Sequence, residues 1–233
     1  MLFLLSHTDY SRVIGNKLDL RAGVNCVDMG CGIGGVMRDL VDTGVNLTGI
    51  TIAANEVEMG NIEFRKMGLD TKCRLVEGDC QAMPFSDSTQ DAAYAIYSLK
   101  YFAKLDAVMS EVARILKPHG KFLIYDLIKT ERYNENNEEH RNIIEGLEYA
   151  CGMPSLHTKE ELVQTAAKFG LVLKEHEDLE KTNNTPYHYC FSHSQLFMWL
   201  VESPIIGESK KGGSEWKSER KIFLKIKKLR ISF

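Results

Sequence analysis

The sequence predicts an α/β fold with a mostly parallel, doubly wound sheet, and three observations lead to that prediction. Short apolar runs alternate with longer segments of helical periodicity, which is typical of strand–helix–strand crossover units with helices on both faces of a parallel sheet. A glycine-rich turn directly follows the first apolar run. The length of 233 residues suits one such domain with a sizeable core and is short for two.

The first half of the sheet is predicted from alternating strand and helix segments. Residues 24–28 form an apolar run that ends in an acid and then glycines, as expected for a buried strand that feeds a turn. A helix at 55–67 is closed by Gly68, at the position just past a helix end. The other segments are a helix at 36–41 and strands at 45–51, 73–76 and 91–96.

The second half continues the alternation. Residues 105–116 carry apolar side chains at helical spacing and are followed by a Pro-His-Gly break and a strand at 121–125. Thr158 and Glu161 form a capping box that opens a helix ending at 169–170, before a strand that begins at 171–173. Parallel sheets bind ligands at the carboxyl ends of their strands, near the point where strand order reverses. One crevice should therefore collect the strand-end residues Gly30, Thr51, Asp79 and Tyr97.

Composition and charge narrow the class of protein. The net charge of −3 gives no indication of a nucleic-acid partner. The six cysteines are scattered and the histidines show no metal-ligand spacing, so we expect free thiols in a reducing compartment and no metal. No stretch approaches the roughly 20 apolar residues of a membrane helix. These features favour a cytoplasmic, enzyme-sized domain.

The last part of the chain differs in composition, and we place a boundary before it. Residues 1–206 are expected to form the domain, whereas residues 207–233 carry nine Lys and Arg against three Glu. A charged chain end of this kind is typical of a solvated, poorly ordered tail. The alternative is a basic amphipathic segment in peripheral contact with an anionic membrane, such as that of the endoplasmic reticulum.

The glycine-rich turn, residues 28–35 with the sequence DMGCGIGG, is the first candidate binding site. Glycines let the backbone approach a ligand, and a helix N-terminus supplies N–H groups for a phosphate or a carboxylate. The glycines also satisfy the dinucleotide fingerprint, but that site requires an acid at the end of the second strand, where Thr51 stands. Asp28 is placed to accept from an ammonium. The turn therefore favours S-adenosyl-L-methionine, with Thr51 or Glu56 left to hold its ribose.

A second acidic turn, residues 77–81, follows the third strand. Asp79 is placed to accept a hydrogen bond from an adenine amino group, and the backbone N–H of Cys80 to serve a ring nitrogen. The alternative for Asp79 is a turn cap. The cofactor-binding residues predicted from these turns and strand ends are Asp28, Gly30, Cys31, Gly32, Gly34, Thr51, Ile52, Glu56, Asp79, Cys80, Gln81 and Ile96.

Aromatic residues cluster around the fourth and fifth strands, where the sulfonium of this cofactor is expected. Tyr97, Tyr101 and Tyr125 are placed to turn ring faces towards a cation through cation–π attraction. Tyr94, inside the fourth strand, is expected to be an ordinary core residue.

Several of these segments resemble the sterol C-methyltransferases, a family of class I S-adenosylmethionine-dependent methyltransferases. The segments are 28–35, 78–85 (GDCQAMPF), 94–96 (YAI) and 116–120 (LKPHG). Longer runs resemble the nematode sterol 4-C-methyltransferases, at 94–101, 125–130, 147–158 and 197–200. The resemblance extends from about residue 20 to residue 206. It implies a Rossmann-like fold, S-adenosyl-L-methionine as cofactor and a sterol or similar lipid-like substrate.

The chain departs from that family in three places. It lacks the family's longer N-terminal region, and it diverges after about residue 206, where family members supply the last antiparallel strand of the sheet. The sheet could therefore lack its final strand. The acid that 24-C-methyltransferases carry after Tyr-Ala-Ile is Tyr97 here, which disfavours alkylation of the sterol side chain.

The resemblance implies methyl transfer to a sterol carbon, with C-4 of a sterol or 3-keto sterol favoured. A 3-keto sterol reacts at C-4 through its enolate, which requires a base, and the candidate catalytic residues are Tyr97, Tyr125 and Asp126. Two alternatives stay open: methyl transfer to another lipid or small molecule, and a catalytically inactive remnant that binds the cofactor.

Overall fold

The computed structural model describes residues 7–102, 104–178 and 224–232, and for 7–10, 178 and 224–232 it describes the backbone alone. The strands are β1 (Asn25–Met29), β2 (Asn46–Thr51), β3 (Cys73–Glu77), β4 (Gln90–Ile96), β5 (Leu116–Lys129), β6 (Val172–Asp178) and β7 (Leu224–Ser232). The helices are α1 (His7–Leu18), α2 (Gly35–Leu40), α3 (Ala54–Lys66), α4 (Leu105–Ile115), α5 (Glu138–Cys151) and α6 (Lys159–Lys168).

The strands form one sheet in the order β3-β2-β1-β4-β5-β7-β6. Neighbouring strands from β3 to β5 are parallel, and β7 pairs antiparallel with both β5 and β6. The order reverses between β1 and β4, where Asp28 is paired with Gly49 of β2 on one side and with Tyr94 of β4 on the other. The predicted doubly wound α/β fold is confirmed, and its switch point lies at Asp28.

The core lies on both faces of this sheet because successive strand residues point to opposite sides. In β5, Phe122 and Ile124 pack in the cluster that includes Val112 of α4, whereas Leu123 packs in the cluster that includes Phe64 of α3. All five residues are fully buried. Helices on both faces therefore fix the strand ends from which the crevice is built.

The prediction that the sheet could lack its final antiparallel strand is wrong. Residues 224–232, which we expected in a poorly ordered tail, form β7 in the middle of the β5–β7–β6 arrangement. The register sets basic positions of β7 opposite acidic positions of β6, with Arg230 facing Glu175 and Lys228 facing Glu177. The rest of the tail, residues 207–223 and 233, lies outside the described residues, so its membrane contact stays a prediction.

Two local predictions are confirmed and two helices were not predicted. Gly68 follows the end of α3 with a φ of +68°, and Thr158 and Glu161 form the expected capping box at α6. The helices α1 and α5 were missed, and β5 is longer at both ends than the predicted strand at 121–125. None of the helices in the described part of the chain is long and apolar enough to cross a membrane.

Candidate active site

The carboxyl ends of the five parallel strands lie side by side and are joined by backbone hydrogen bonds. Gly30 N–H donates to the carbonyl of Ile50 at 2.9 Å, which connects the turn after β1 to β2. Gly78 N–H donates to the carbonyl of Thr51 at 2.9 Å and so connects the turn after β3 to β2. On the other side, Tyr97 N–H donates to the carbonyl of Tyr125 at 2.8 Å. The predicted site residues are therefore brought into one row.

The turn after β1 requires glycine for two different reasons. Gly30, Gly32 and Gly34 have φ values of +75°, +54° and +76°, in the left-handed region that favours glycine. A Cβ at Gly30 would lie 2.5 Å from the Cβ of Ser98, and one at Gly34 would lie 2.5 Å from Phe64. At Gly32 no atom lies within 4 Å of that position, so this part of the turn faces open space where a ligand can approach.

The backbone donors of this turn are partly committed to the fold. The N–H groups of Gly30 and Cys31 both donate to the carbonyl of Ile50, at 2.9 and 3.1 Å. Gly34 N–H donates to the carbonyl of Cys31. Gly30 and Cys31 were both predicted to bind the cofactor. Their backbone N–H groups are already bonded to Ile50, so these residues contribute to the site through the shape of the turn.

Asp28 is a buried acid at the switch point of the sheet. It is only 3% exposed, and Tyr94 donates its hydroxyl to the Asp28 carboxylate at 3.0 Å. Burial raises the pKa of Asp28 to about 7, even though the hydrogen bond from Tyr94 acts to lower it. Because burial disfavours the charged form of Asp28, a bound cation would stabilise its carboxylate more strongly than it would an exposed one. Tyr94 is fully buried as expected for core, but its hydroxyl also orients Asp28, a role that the sequence did not indicate.

The end of β2 carries the pair predicted for the ribose. Thr51 is 7% exposed and donates its hydroxyl to a carboxylate oxygen of Glu56 at 2.6 Å. The same hydroxyl accepts the backbone N–H of Ala53 at 3.3 Å. Thr51 thus fixes Glu56 as an acceptor at the crevice. Ile52, between them in the chain, is 79% exposed and offers an apolar surface for a purine.

The turn after β3 is built around Asp79, which is exposed. Its carboxylate accepts the backbone N–H of Gln81 at 2.8 Å and also contacts the Gln81 side-chain amide. The turn-cap interpretation of Asp79 is therefore correct, and it leaves the carboxylate at the surface of the crevice. Cys80 is buried, which raises the pKa of its thiol to about 12.

Tyr97 lies at the end of β4 in a strained conformation. Its φ of +52° is in the left-handed region, which costs a residue with a Cβ about 1 kcal/mol or more. The rings of Tyr97 and Tyr125 meet edge-on, with centroids 5.2 Å apart and planes at 79°. Ile96, just before, is half-buried. Strain that is held at a ligand-facing strand end is typical of a functional site.

Lys100, which the sequence did not single out, is the cation of this region. It is 6% exposed and forms a buried ion pair with Asp126, Nζ to Oδ1 at 2.8 Å. Its ammonium also donates to the carbonyl of Tyr97 at 2.7 Å and lies 4.9 and 5.1 Å from the ring centroids of Tyr97 and Tyr101. No sequence signal predicts the pair, because its members are 26 residues apart and meet only through the β4–β5 pairing.

Asp126 is less suited to act as a base than the sequence suggested. Its carboxylate accepts from the Lys100 ammonium and from the backbone N–H groups of Lys100 and Leu127, at 2.8, 3.3 and 2.8 Å. Taking up a proton would disrupt a buried charge pair, which is costly. Its position instead makes it an anchor for Lys100.

These residues fit an adenosyl amino acid. The turn is open at Gly32, the buried Asp28 matches an ammonium, Glu56 matches two ribose hydroxyls and Asp79 matches an exocyclic amino group. Within the described residues, no group of three or more His, Cys, Asp or Glu side chains could hold a metal ion.

Comparison with known proteins gives related sequences and folds. A family model described as a methyltransferase domain matches residues 27–124. The sterol 4-C-methyltransferase of Caenorhabditis elegans is 57% identical over 194 residues, covering 83% of this chain and 58% of that protein. The 24-methylenesterol C-methyltransferase 3 of Arabidopsis thaliana is 32% identical over 201 residues, covering 84% and 56%. The structure of geranyl diphosphate C-methyltransferase from Streptomyces coelicolor has a TM-score of 0.79 at 20% identity, covering 96% of this chain and 76% of that one.

The chain therefore spans somewhat more than half the length of the sterol-modifying relatives that it matches. The structural likeness, at 20% identity, shows the fold, which is the Rossmann-like fold of class I methyltransferases.

Proposed function

The chain is a homologue of the sterol C-methyltransferases, and we propose from this that it transfers a methyl group from S-adenosyl-L-methionine to a carbon of a sterol. The identity of 57% over 194 residues to a sterol 4-C-methyltransferase carries this proposal, because the match covers 83% of this chain. C-4 of a sterol or 3-keto sterol is the favoured position, and Tyr97 in place of an acid after Tyr-Ala-Ile supports it.

The cofactor is assigned to the crevice group by group. Asp28 binds the ammonium, Glu56 accepts from the ribose hydroxyls and Asp79 accepts from the adenine amino group, while Ile52 covers the purine. Bound S-adenosyl-L-methionine supplies an electrophilic methyl group on its sulfonium. The protein's contribution is then to align the acceptor carbon with that methyl group and to exclude water.

The residues after β4 and β5 are proposed to serve the acceptor. A 3-keto sterol becomes nucleophilic at C-4 when it loses a proton, so one side chain must accept that proton. Tyr97 is the better candidate in its phenolate form, after its own proton has gone to solvent, because the Lys100 ammonium 4.9 Å from its ring centroid favours that negative charge. Tyr125 contacts the edge of the same ring and holds its orientation. Asp126 acts through Lys100 and is a positioning residue.

A product assay tests the proposal. The full chain is incubated with methyl-labelled cofactor and either a 3-keto sterol with a saturated side chain or a sterol with a side-chain alkene. We expect label in the 3-keto sterol, at C-4 by NMR, and none in the side chain. Binding of S-adenosylhomocysteine without label in any sterol product would reject the proposed substrate. Label in the side chain would reject the proposed position.

A further inference from the structure

Two charged residues of α4 hold the loop that joins β3 to β4. The Glu111 carboxylate accepts the backbone N–H of Met83 at 2.7 Å. The Arg114 guanidinium donates to the carbonyl oxygens of Met83 and Phe85, at 3.0 and 2.7 Å. It also binds both oxygens of Glu111, at 2.7 and 2.8 Å. The two side chains and the loop backbone therefore form one connected hydrogen-bond network.

The held segment continues directly into the turn assigned to adenine. Ala82 N–H donates to the backbone carbonyl of Asp79 at 2.9 Å, and the Asp79 carboxylate accepts from Gln81. Cys80 and Met83 are buried in the same core cluster as α4. Packing thus fixes the inner side of the loop, and the charged pair fixes its backbone between Met83 and Phe85.

We propose that Glu111 and Arg114 are positioning residues that set where the Asp79 carboxylate meets the adenine of the cofactor. The inference rests on the proposed function, since it uses the assignment of adenine to Asp79. The hydrogen bonds described above for the Asp79 carboxylate are all to Gln81, in the same turn. The position of this carboxylate therefore depends on the loop backbone that Glu111 and Arg114 of α4 bind. A displacement of about 1 Å is enough to weaken an aligned hydrogen bond markedly.

The geometry requires arginine at position 114. Its planar fork reaches two carbonyls and the carboxylates of Glu111 and Asp87 at once, whereas a lysine ammonium acts as a point charge and cannot span them. The hydrogen bond from Arg114 lowers the pKa of Glu111, so the ionised form that accepts the Met83 N–H is favoured further.

The test compares Arg114→Lys and Glu111→Gln with a control substitution on α6 that removes a different ion pair to α4. The control is Lys168→Met, which removes the exposed ion pair to Asp106 of α4 at 2.8 Å and does not touch the loop. Calorimetry measures affinity for S-adenosylhomocysteine and for S-inosylhomocysteine, in which a carbonyl replaces the adenine amino group. The hydrogen-exchange rate of the Met83 amide measures, without any ligand, how well its hydrogen bond to Glu111 is maintained. Unfolding curves confirm that each variant is folded.

The wild type and the control should prefer the adenine ligand, because Asp79 repels the inosine carbonyl. In both loop variants we expect that preference to fall about tenfold and the Met83 amide to exchange faster. An unchanged preference in two folded variants would overturn the proposal, as would unchanged exchange at Met83. If the loop variants lose the preference but the wild type methylates no sterol, the proposed substrate is rejected and the positioning role is still supported.

Discussion

The pH dependence of Asp28→Asn follows from the burial of one carboxyl group. The pKa of Asp28 rises from 3.8 to about 7 on folding, so between these values the folded chain holds a proton that the unfolded chain has released. Asp28 therefore stabilises the folded state at acidic pH, and this contribution is lost as the pH rises through about 7. In the Asn variant the side chain cannot ionise, and its oxygen can still accept the Tyr94 hydroxyl.

The size of the effect can be worked out from those two values. The Asp28 contribution to the free energy of unfolding should fall by about 2.5 kcal/mol between about pH 5 and about pH 8. Denaturant unfolding at both pH values should show the wild type losing that amount relative to Asp28→Asn. Comparing the two proteins removes the contribution of the other titrating groups, which they share.

Cofactor binding should change with pH in the opposite direction. Only about a tenth of Asp28 is ionised at about pH 6, so the affinity for S-adenosylhomocysteine should be about tenfold weaker there than at about pH 8. Asp28→Asn should bind weakly at both values. Tyr94→Phe removes the bond that lowers the pKa of Asp28, so both transitions should move to higher pH. Wild type and Asp28→Asn with the same pH dependence would refute the reasoning.

Three further predictions concern the rest of the crevice. Gly34→Ala should destabilise the fold by about 2 kcal/mol or more in thermal unfolding, since its Cβ would lie 2.5 Å from Phe64. Gly68→Ala, with a similar φ and open space, should cost about 1 kcal/mol; equal losses would count against the packing argument. Lys100→Met should cost about 3–5 kcal/mol in denaturant unfolding because it leaves Asp126 buried and unpaired, and adding Asp126→Leu should recover part of the loss. Glu56→Gln should weaken binding of S-adenosylhomocysteine about tenfold in calorimetry with little change in melting temperature; unchanged affinity would remove Glu56 from the ribose site.

The strand ends could be predicted from sequence because each is marked locally. The apolar runs lead to Asp28, Thr51 and Asp79. The glycine-rich turn is recognised from the spacing of its glycines in residues 28–35. The right-handed chirality of crossover connections then limits the possible strand orders. The predicted strand-end residues therefore lie on both sides of the switch point between β1 and β4, and their role in binding a cofactor stays a prediction.

The parts that could not be predicted depend on partners distant in the chain. The sequence did not single out Lys100 and gave Asp126 as a candidate base, and only the pairing of β4 with β5 brings the two together in a buried ion pair. The basic segment of β7 was predicted as a solvated tail, because the strands with which it pairs, β5 and β6, lie far earlier in the chain. Strand propensity and charge pattern describe one segment at a time. The burial of the Lys100–Asp126 pair and the formation of β7 depend instead on pairing between strands that are distant in the sequence.

A structure of the full chain with bound S-adenosylhomocysteine tests the central claim most directly. We predict the ligand's ammonium within hydrogen-bonding distance of the Asp28 carboxylate, its ribose hydroxyls at Glu56 and its adenine amino group at Asp79. A ligand bound elsewhere, or bound in this crevice with Asp28 and Asp79 both out of reach, would contradict the account.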